Sequence, residues 1–234
     1  VGTEIVPNHL IKMMLSYKDE KHKSFDTEIP SGKEIANSNK SVDQQFYSIA
    51  LEDTVTLNEQ WELQVGGIYT KRKAGAKEIG ENTANLLDQY PQAASMLNPT
   101  INTFDPQVAL FYKPSDDHTF RASISRKTRF PSFKQVFSNY ASGKDYCING
   151  GKNCPPEERV PLLALQNPGL KPEKAMHYEL GYFGSPLENL YLEGSLYFSQ
   201  MKNTIDRTDE DLTSFPGFAV TQSVNLKGTT ERKG

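Results

Sequence analysis

The chain has 234 residues, of which 36% are hydrophobic and 24% charged, with a formal net charge of −3 at pH 7. That balance carries none of the Lys/Arg excess that phosphate contacts demand, which excludes nucleic acid as an expected partner. A spanning helix needs roughly 20 apolar residues in succession and none occur, whereas a mean hydropathy of −0.60 leaves a membrane barrel open, because only alternate residues of a spanning strand meet lipid.

In chain order, the dominant signal is alternation of apolar and polar residues. A first strand is predicted near Leu10 to Tyr17, with Ile11, Met13, Leu15 and Tyr17 on one face. A long polar connection, Lys18 to Val42, follows. Next come Tyr47, Ile49, Leu51, Val55 and Leu57 against Ser48, Ala50, Glu52, Thr54 and Thr56. After Asn58, Glu59 and Gln60 a third strand sets Trp61, Leu63, Val65 and Tyr69 against Glu62 and Gln64. So short a connection predicts a tight hairpin with Leu57 opposite Trp61 and Val55 opposite Leu63. Asp53 interrupts the apolar face toward the turn, where an acid costs little.

The connection from Arg72 to Asp105 contains Thr83 to Leu97, where Leu86, Leu87, Tyr90, Ala94 and Leu97 have the spacing of a short amphipathic helix broken by Pro91. A second hairpin places Val108, Leu110 and Tyr112 opposite Phe120, Ala122 and Ile124, joined through Lys113 to His118. After a long connection, Lys127 to Ala175, a third hairpin pairs Met176, Tyr178, Leu180 and Tyr182 with Leu190, Leu192, Leu196 and Phe198 through Gly184 to Asn189. A further connection, Lys202 to Gly217, leads to a last strand near Phe218 to Leu226.

Short turns thus collect at one end and long polar loops at the other. The predicted fold is all-β: an antiparallel transmembrane β-barrel segment of about eight meandering strands, with short periplasmic turns and long extracellular loops. A soluble β-sandwich also alternates, but its strands are shorter, typically about five or six residues, and its loops are not sorted by end. A self-contained eight-stranded barrel, acting as an adhesin or small pore, is a further alternative. Starting at Val1 with no leader ahead of it, the chain is read as mature, trimmed or excerpted.

No catalytic constellation is found, so the chain is not expected to be an enzyme and no cofactor or metal is assigned. His9, His22, His118 and His177 lie far apart and read as polar lumen, turn or loop residues. Ser31-Gly32-Lys33 lacks the upstream glycine of a phosphate loop, and no G-x-S-x-G elbow occurs. Asp209, Glu210 and Asp211 lack the alternating spacing of a calcium loop. Glu179 and Glu193 are placed on inward faces of neighbouring strands, facing each other or satisfied by water and a partner such as Arg121. Cys147 and Cys154 suit a local disulfide in an oxidising compartment; a zinc site is the competing reading, underligated without nearby histidine. Arg129, Lys134, Tyr140, Lys144 and Tyr146 make a cationic, aromatic loop set suited to an anionic ferric chelate, against the plainer reading that they solvate and pack the loop.

Several of these segments carry a family resemblance. Arg126-Lys127-Thr128-Arg129-Phe130-Pro131-Ser132-Phe133-Lys134 is followed by Asn167-Pro168-Gly169-Leu170-Lys171-Pro172-Glu173-Lys174 and then Tyr178-Glu179-Leu180-Gly181. With Asn225-Leu226-Lys227-Gly228 near the end, this resembles the TonB-dependent receptor barrel over residues 43 to 228. The resemblance implies a stretch of a 22-stranded barrel whose amino-terminal plug and TonB box lie outside this chain. It implies uptake of a ferric siderophore, cobalamin or similar ligand, with outer-membrane lipid and an iron chelate or corrinoid as partners, and TonB engaged only through the missing plug. Beside it stands a local reading, in which Pro168 and Pro172 keep the loop's descent extended and Glu173 and Lys174 keep it solvated.

Overall fold

The computed structural model describes residues 2–3, 6–24, 40–79, 100–132, 135–136, 140–147, 155, 159–165, 167, 169–210 and 219–234. In chain order the strands are β1 (Gly2–Thr3), β2 (His9–Ser24), β3 (Lys40–Thr56), β4 (Trp61–Ile79), β5 (Thr100–Ser115), β6 (His118–Arg129), β7 (Tyr140–Cys147), β8 (Arg159–Leu165), β9 (Glu173–Leu187), β10 (Leu190–Lys202), β11 (Ile205–Glu210), β12 (Ala219–Asn225) and β13 (Thr229–Lys233). They build a nine-stranded sheet in the order β1-β2-β3-β4-β5-β6-β9-β10-β13 and a four-stranded sheet in the order β11-β12-β8-β7. All pairings are antiparallel except β12 with β8. No described helix is long and apolar enough to cross a membrane.

Register follows the alternation. Val55 lies opposite Leu63, and the Leu57 N–H donates to the Trp61 carbonyl at 2.9 Å. Leu63, Leu110, Ala122, Leu180 and Leu196 then form one row across five strands. The side chains of that face are bare, with Leu15 and Leu196 each 69% exposed and Leu180 61%. Among the described residues the buried hydrophobic ones are few (Val42, Ala74, Ala109, Val136, Leu170 and Ile205), and Arg72, Glu173 and Gln44 are buried as well. A soluble sandwich buries its apolar face against a second sheet. Here that face is open, and Arg72 and Glu173 are buried.

The turn end is rimmed by aromatic rings. Trp61 stacks on Tyr112 at 4.5 Å between centroids, Tyr112 neighbours Phe120 at 6.2 Å, and Phe120 meets Tyr182 at 5.1 Å. Asn58 closes the first turn by accepting the Gln60 and Trp61 amides at 2.9 and 3.0 Å, which fits its side chain to mimic a backbone turn. Asp53, the acid on the apolar face near this end, is met by His9 Nδ1 at 2.7 Å.

Two expectations are corrected. The strands run further toward the long-loop end than alternation suggested: β3 has 17 residues and β4 has 19, so parts of the connections at Lys18 to Val42 and Arg72 to Asp105 belong to the wall. Beyond the apolar belt both faces are polar, and the hydrogen-bond ladder continues without a periodic signal. The strand expected near Phe218 to Leu226 exists as β12, but it belongs to the second sheet; the wall strand beside β10 is β13. The helix expected at Thr83 to Leu97 lies outside the described residues.

The reason for the second correction is a paired break. Asn203 (φ 57°) ends β10 and Gly228 (φ 95°) precedes β13, both in the left-handed region that Gly and Asn tolerate best. Above the break, β11 and β12 continue as a hairpin within the second sheet.

Residues Asn167 to Glu173 tie the two sheets together. Asn225 Nδ2 donates to the carbonyls of Lys171 (2.9 Å) and Asn203 (2.8 Å), while its Oδ1 accepts the Lys171 amide at 2.8 Å. Asn167 Nδ2 donates to the Ser223 carbonyl at 2.9 Å. Glu173, 3% exposed, accepts the Ile205 amide at 2.7 Å through Oε1 and the Arg129 guanidinium through Oε2. The apolar face of β9 runs from Met176 to Tyr182, so Glu173 stands above it. The Arg129 hydrogen bond, assisted by the Ile205 amide, outweighs burial and holds the Glu173 carboxyl below its ordinary 4.5.

Because that folded-state value is depressed, the stabilisation is full above the ordinary value and is lost as pH falls through the lower, folded one. Amide exchange at Ile205, corrected for its intrinsic rate, should therefore accelerate as pH drops below 4.5. In Glu173→Gln it should be fast and pH-independent from the start; unchanged Ile205 protection in that variant would refute the tie.

Candidate functional site

The polar face of the large sheet carries two adjoining grooves. The lower, about 420 Å³, is lined by Gln64, Gln107, Arg121, His177, Glu179 and Arg232, among others. The upper, about 560 Å³, opens at the long-loop end among Lys127, Arg129, Glu173, Thr204, Asp206 and Arg232. Lys127, His177 and Arg232 line both, which makes them one continuous path.

Alternation places these side chains. Ser123, Ser125, Lys127 and Arg129 follow one another at every second position of β6, opposite Glu179, His177, Ala175 and Glu173 of β9. In the lower groove Arg121 Nη1 stands 3.7 Å from Glu179 Oε1, and its guanidinium lies over Phe111 at 5.8 Å. His177 Nδ1 is 2.7 Å from Ser199 Oγ. In the upper groove Glu173 is spent on Arg129, and Lys127 and Arg232 have no ion pair among the described residues. The path is therefore left with net positive character at its wider end.

Glu179 thus meets the Arg121 partner foreseen for it. It does not face Glu193: the register sets Glu179 against Tyr197 and Glu193 against Phe183, on the same face but four residues along. Alternation fixed the face; the short turn between Leu187 and Leu190 set the register, which holds the two acids apart along the strands. With His9 on Asp53, His118 on Tyr182 (2.8 Å) and His177 on Ser199, three histidines serve as local hydrogen-bond partners. No group of three or more His, Cys, Asp or Glu able to hold a metal occurs among the described residues.

Of the loop set, Arg129 lines the upper groove. Tyr140, Lys144 and Tyr146 lie on β7, the outermost strand of the second sheet, where Tyr140 pairs with Ala164 and Tyr146 with Val160. Cys147 ends β7 opposite Arg159. Lys134 and Cys154 lie outside the described residues, as do the side chains of β7, so the proposed disulfide falls there too.

One cluster had no signal in the sequence beyond continued alternation along β4. Arg72 shares a face with Gln64 and Thr70 and donates through Nε to Gln44 Oε1 at 2.9 Å. Gln44 in turn donates to Glu20, which also pairs with Lys18. The Phe130 ring covers the Arg72 guanidinium at 5.8 Å and meets Phe46 edge-on at 5.6 Å.

Comparison with known proteins places this architecture. The copper transporter OprC superposes with a TM-score of 0.65 at 14% identity, over 98% of this chain and 32% of that one. The hemophore receptor HasR of Serratia marcescens, in a complex with its hemophore HasA and heme, gives 0.64 at 12% identity, over 100% of this chain and 37% of that one. The ferric enterobactin receptor PfeA of Pseudomonas aeruginosa gives 0.59 at 17% identity, over 97% and 30%. The chain thus spans about a third of the length of each of these structures. No curated protein sequence matches. A family model described as TonB dependent receptor-like, beta-barrel, matches residues 7–234, and the chain belongs to that family.

Proposed function

We propose that this chain is a wall-and-mouth segment of an outer-membrane receptor that imports a scarce anionic ligand, a ferric siderophore before a corrinoid. The observation that carries the reading is the continuous polar path in which Lys127 and Arg232 have no ion pair among the described residues, set behind a bare apolar face that fits lipid. Such cations suit an anionic chelate, and Arg129 with the β7 set of Tyr140, Lys144 and Tyr146, together with Lys134, would form the outer part of its binding surface. The large sheet has β1 and β13 as its two ends rather than joined, which supports a segment of a larger barrel over a self-contained one. Ligand movement would draw on TonB through a plug encoded elsewhere in the same protein. The reading assigns no catalysis to the chain.

Three neighbours differ in what their names say they handle: copper, heme with its hemophore, and ferric enterobactin. The ligand is therefore best sought by growth of a deletion strain on a panel of iron chelates and corrinoids with uptake measured. Restored growth on an anionic ferric chelate is expected. Growth restored only by a corrinoid overturns the choice of ligand.

In the full-length receptor, replacing Arg129 and Lys134 together by Ala should weaken chelate binding by about tenfold or more, since charge-assisted contacts are lost. Unchanged affinity in a correctly folded double variant removes this loop set from the site. For the lipid face, Leu180→Lys should cost about 2–4 kcal/mol in urea unfolding of the receptor in vesicles, with Ser123→Lys on the polar face costing little. Equal costs would contradict the assignment of faces.

A further inference from the structure

We infer that Arg72 is an anion receptor at the long-loop end of the polar face, built to take two oxygens of one anionic group such as a carboxylate, a phosphate or a metal-bound catecholate. The inference rests on the reading above that the receptor's ligand is anionic, and it names a seat for that ligand that the loop set does not include. Arg72 is 0% exposed, and its Nη1 and Nη2 have no hydrogen-bond partner among the described residues. A guanidinium out of water with two of its three nitrogens lacking acceptors is costly, because Gln44, the Phe130 ring and the field of Glu20 compensate the desolvation of its charge only in part. A group that served only to hold the fold would be cheaper as an apolar side chain.

The surroundings orient the guanidinium and leave its forked edge unused. Nε is fixed by Gln44 Oε1 at 2.9 Å, which sets the plane of the group. The nearest acid of this cluster, Glu20, is already engaged by Lys18 and by Gln44 Nε2, so it does not neutralise the fork. Phe130 covers one face at 5.8 Å, a contact that stabilises the cation without consuming an N–H. What remains is the Nη1/Nη2 edge, whose two parallel donors match two oxygens on one atom or one chelate ring.

Position excludes a lipid headgroup as the occupant. Arg72 is paired with Phe46 and Ile101 on the polar face, three residues beyond Tyr69, so it points away from the apolar side. Access requires Phe130 to move. Phe130 directly follows Arg129, the residue bound to Glu173, so filling the Arg72 seat would disturb the tie between the two sheets.

The test uses the full-length receptor refolded in detergent, with the ferric tris-complex of 2,3-dihydroxybenzoate and inorganic phosphate as probes. Arg72→Met should raise the urea midpoint, because it removes a buried charge that its neighbours compensate only in part, and should weaken chelate binding by about tenfold or more. Phosphate should raise the midpoint of the wild type and leave that of Arg72→Met unchanged. If Arg72→Met does not refold, Arg72→Gln undergoes the same measurements. A lower midpoint in the variant marks the guanidinium as a structural tie and overturns the inference. So does chelate binding that is equal in both proteins, an outcome that leaves the importer reading intact. Loss of phosphate stabilisation in the variant, with no chelate bound by the wild type, sustains the anion seat and overturns the choice of an iron chelate.

Discussion

Everything in this chain depends on pairing backbone N–H and C=O groups between strands while one face carries large apolar side chains and the other carries charge. In an apolar medium an unpaired peptide group costs several kcal/mol, so a spanning strand needs a partner along its length. Antiparallel hairpins provide it locally, and period-two alternation then sorts each residue to one side or the other. The row Leu63, Leu110, Ala122, Leu180, Leu196 is the result on one face, and Gln64, Ser123, Glu179 the result on the other. A single residue's slip would exchange these sets. That severity makes the register of the wall legible.

The same rule explains why charged groups concentrate where they do. Arg121 and Glu179 meet on the polar face, where their partners are a short reach across neighbouring strands. Glu173 is more deeply enclosed and correspondingly better satisfied, with a guanidinium and a backbone amide on its two oxygens. Its neighbours Asn167 and Asn225 bond to backbone, so the stretch from Asn167 to Glu173 acts as a fastening. The solvating role read for Glu173 from its sequence is corrected: the carboxylate is buried and fastens two sheets.

Much of the wall could be read from the residues alone. The three hairpins, their partners, and the Arg121 neighbour of Glu179 all follow from alternation and short turns. The strand tops could not, because Lys71 to Ile79 and Ser16 to Ser24 lack an apolar face to count. The four-stranded sheet was equally hidden. Val220 and Val224 in β12 alternate with polar residues as a wall strand would, and alternation cannot tell which sheet a strand joins. Arg72 was missed for a related reason: nothing in a list of residues distinguishes a solvated loop arginine from one enclosed beneath Phe130. Arg129, selected as a loop cation, ends β6, and its bond to Glu173 belongs to a partner more than forty residues away.

The break at Asn203 and Gly228 divides one long hairpin into two lengths with different obligations. Below it Lys202 pairs with Thr229, and above it Ile205 pairs with Asn225, so the two sides contribute unequal numbers of residues to the gap. The inside-outside code is thereby restarted at the rim. Substitutions or insertions above the gap need not preserve the phase required by lipid below it. The chain gains an exchangeable tip on a fixed stave, and selection can rewrite one without renegotiating the other.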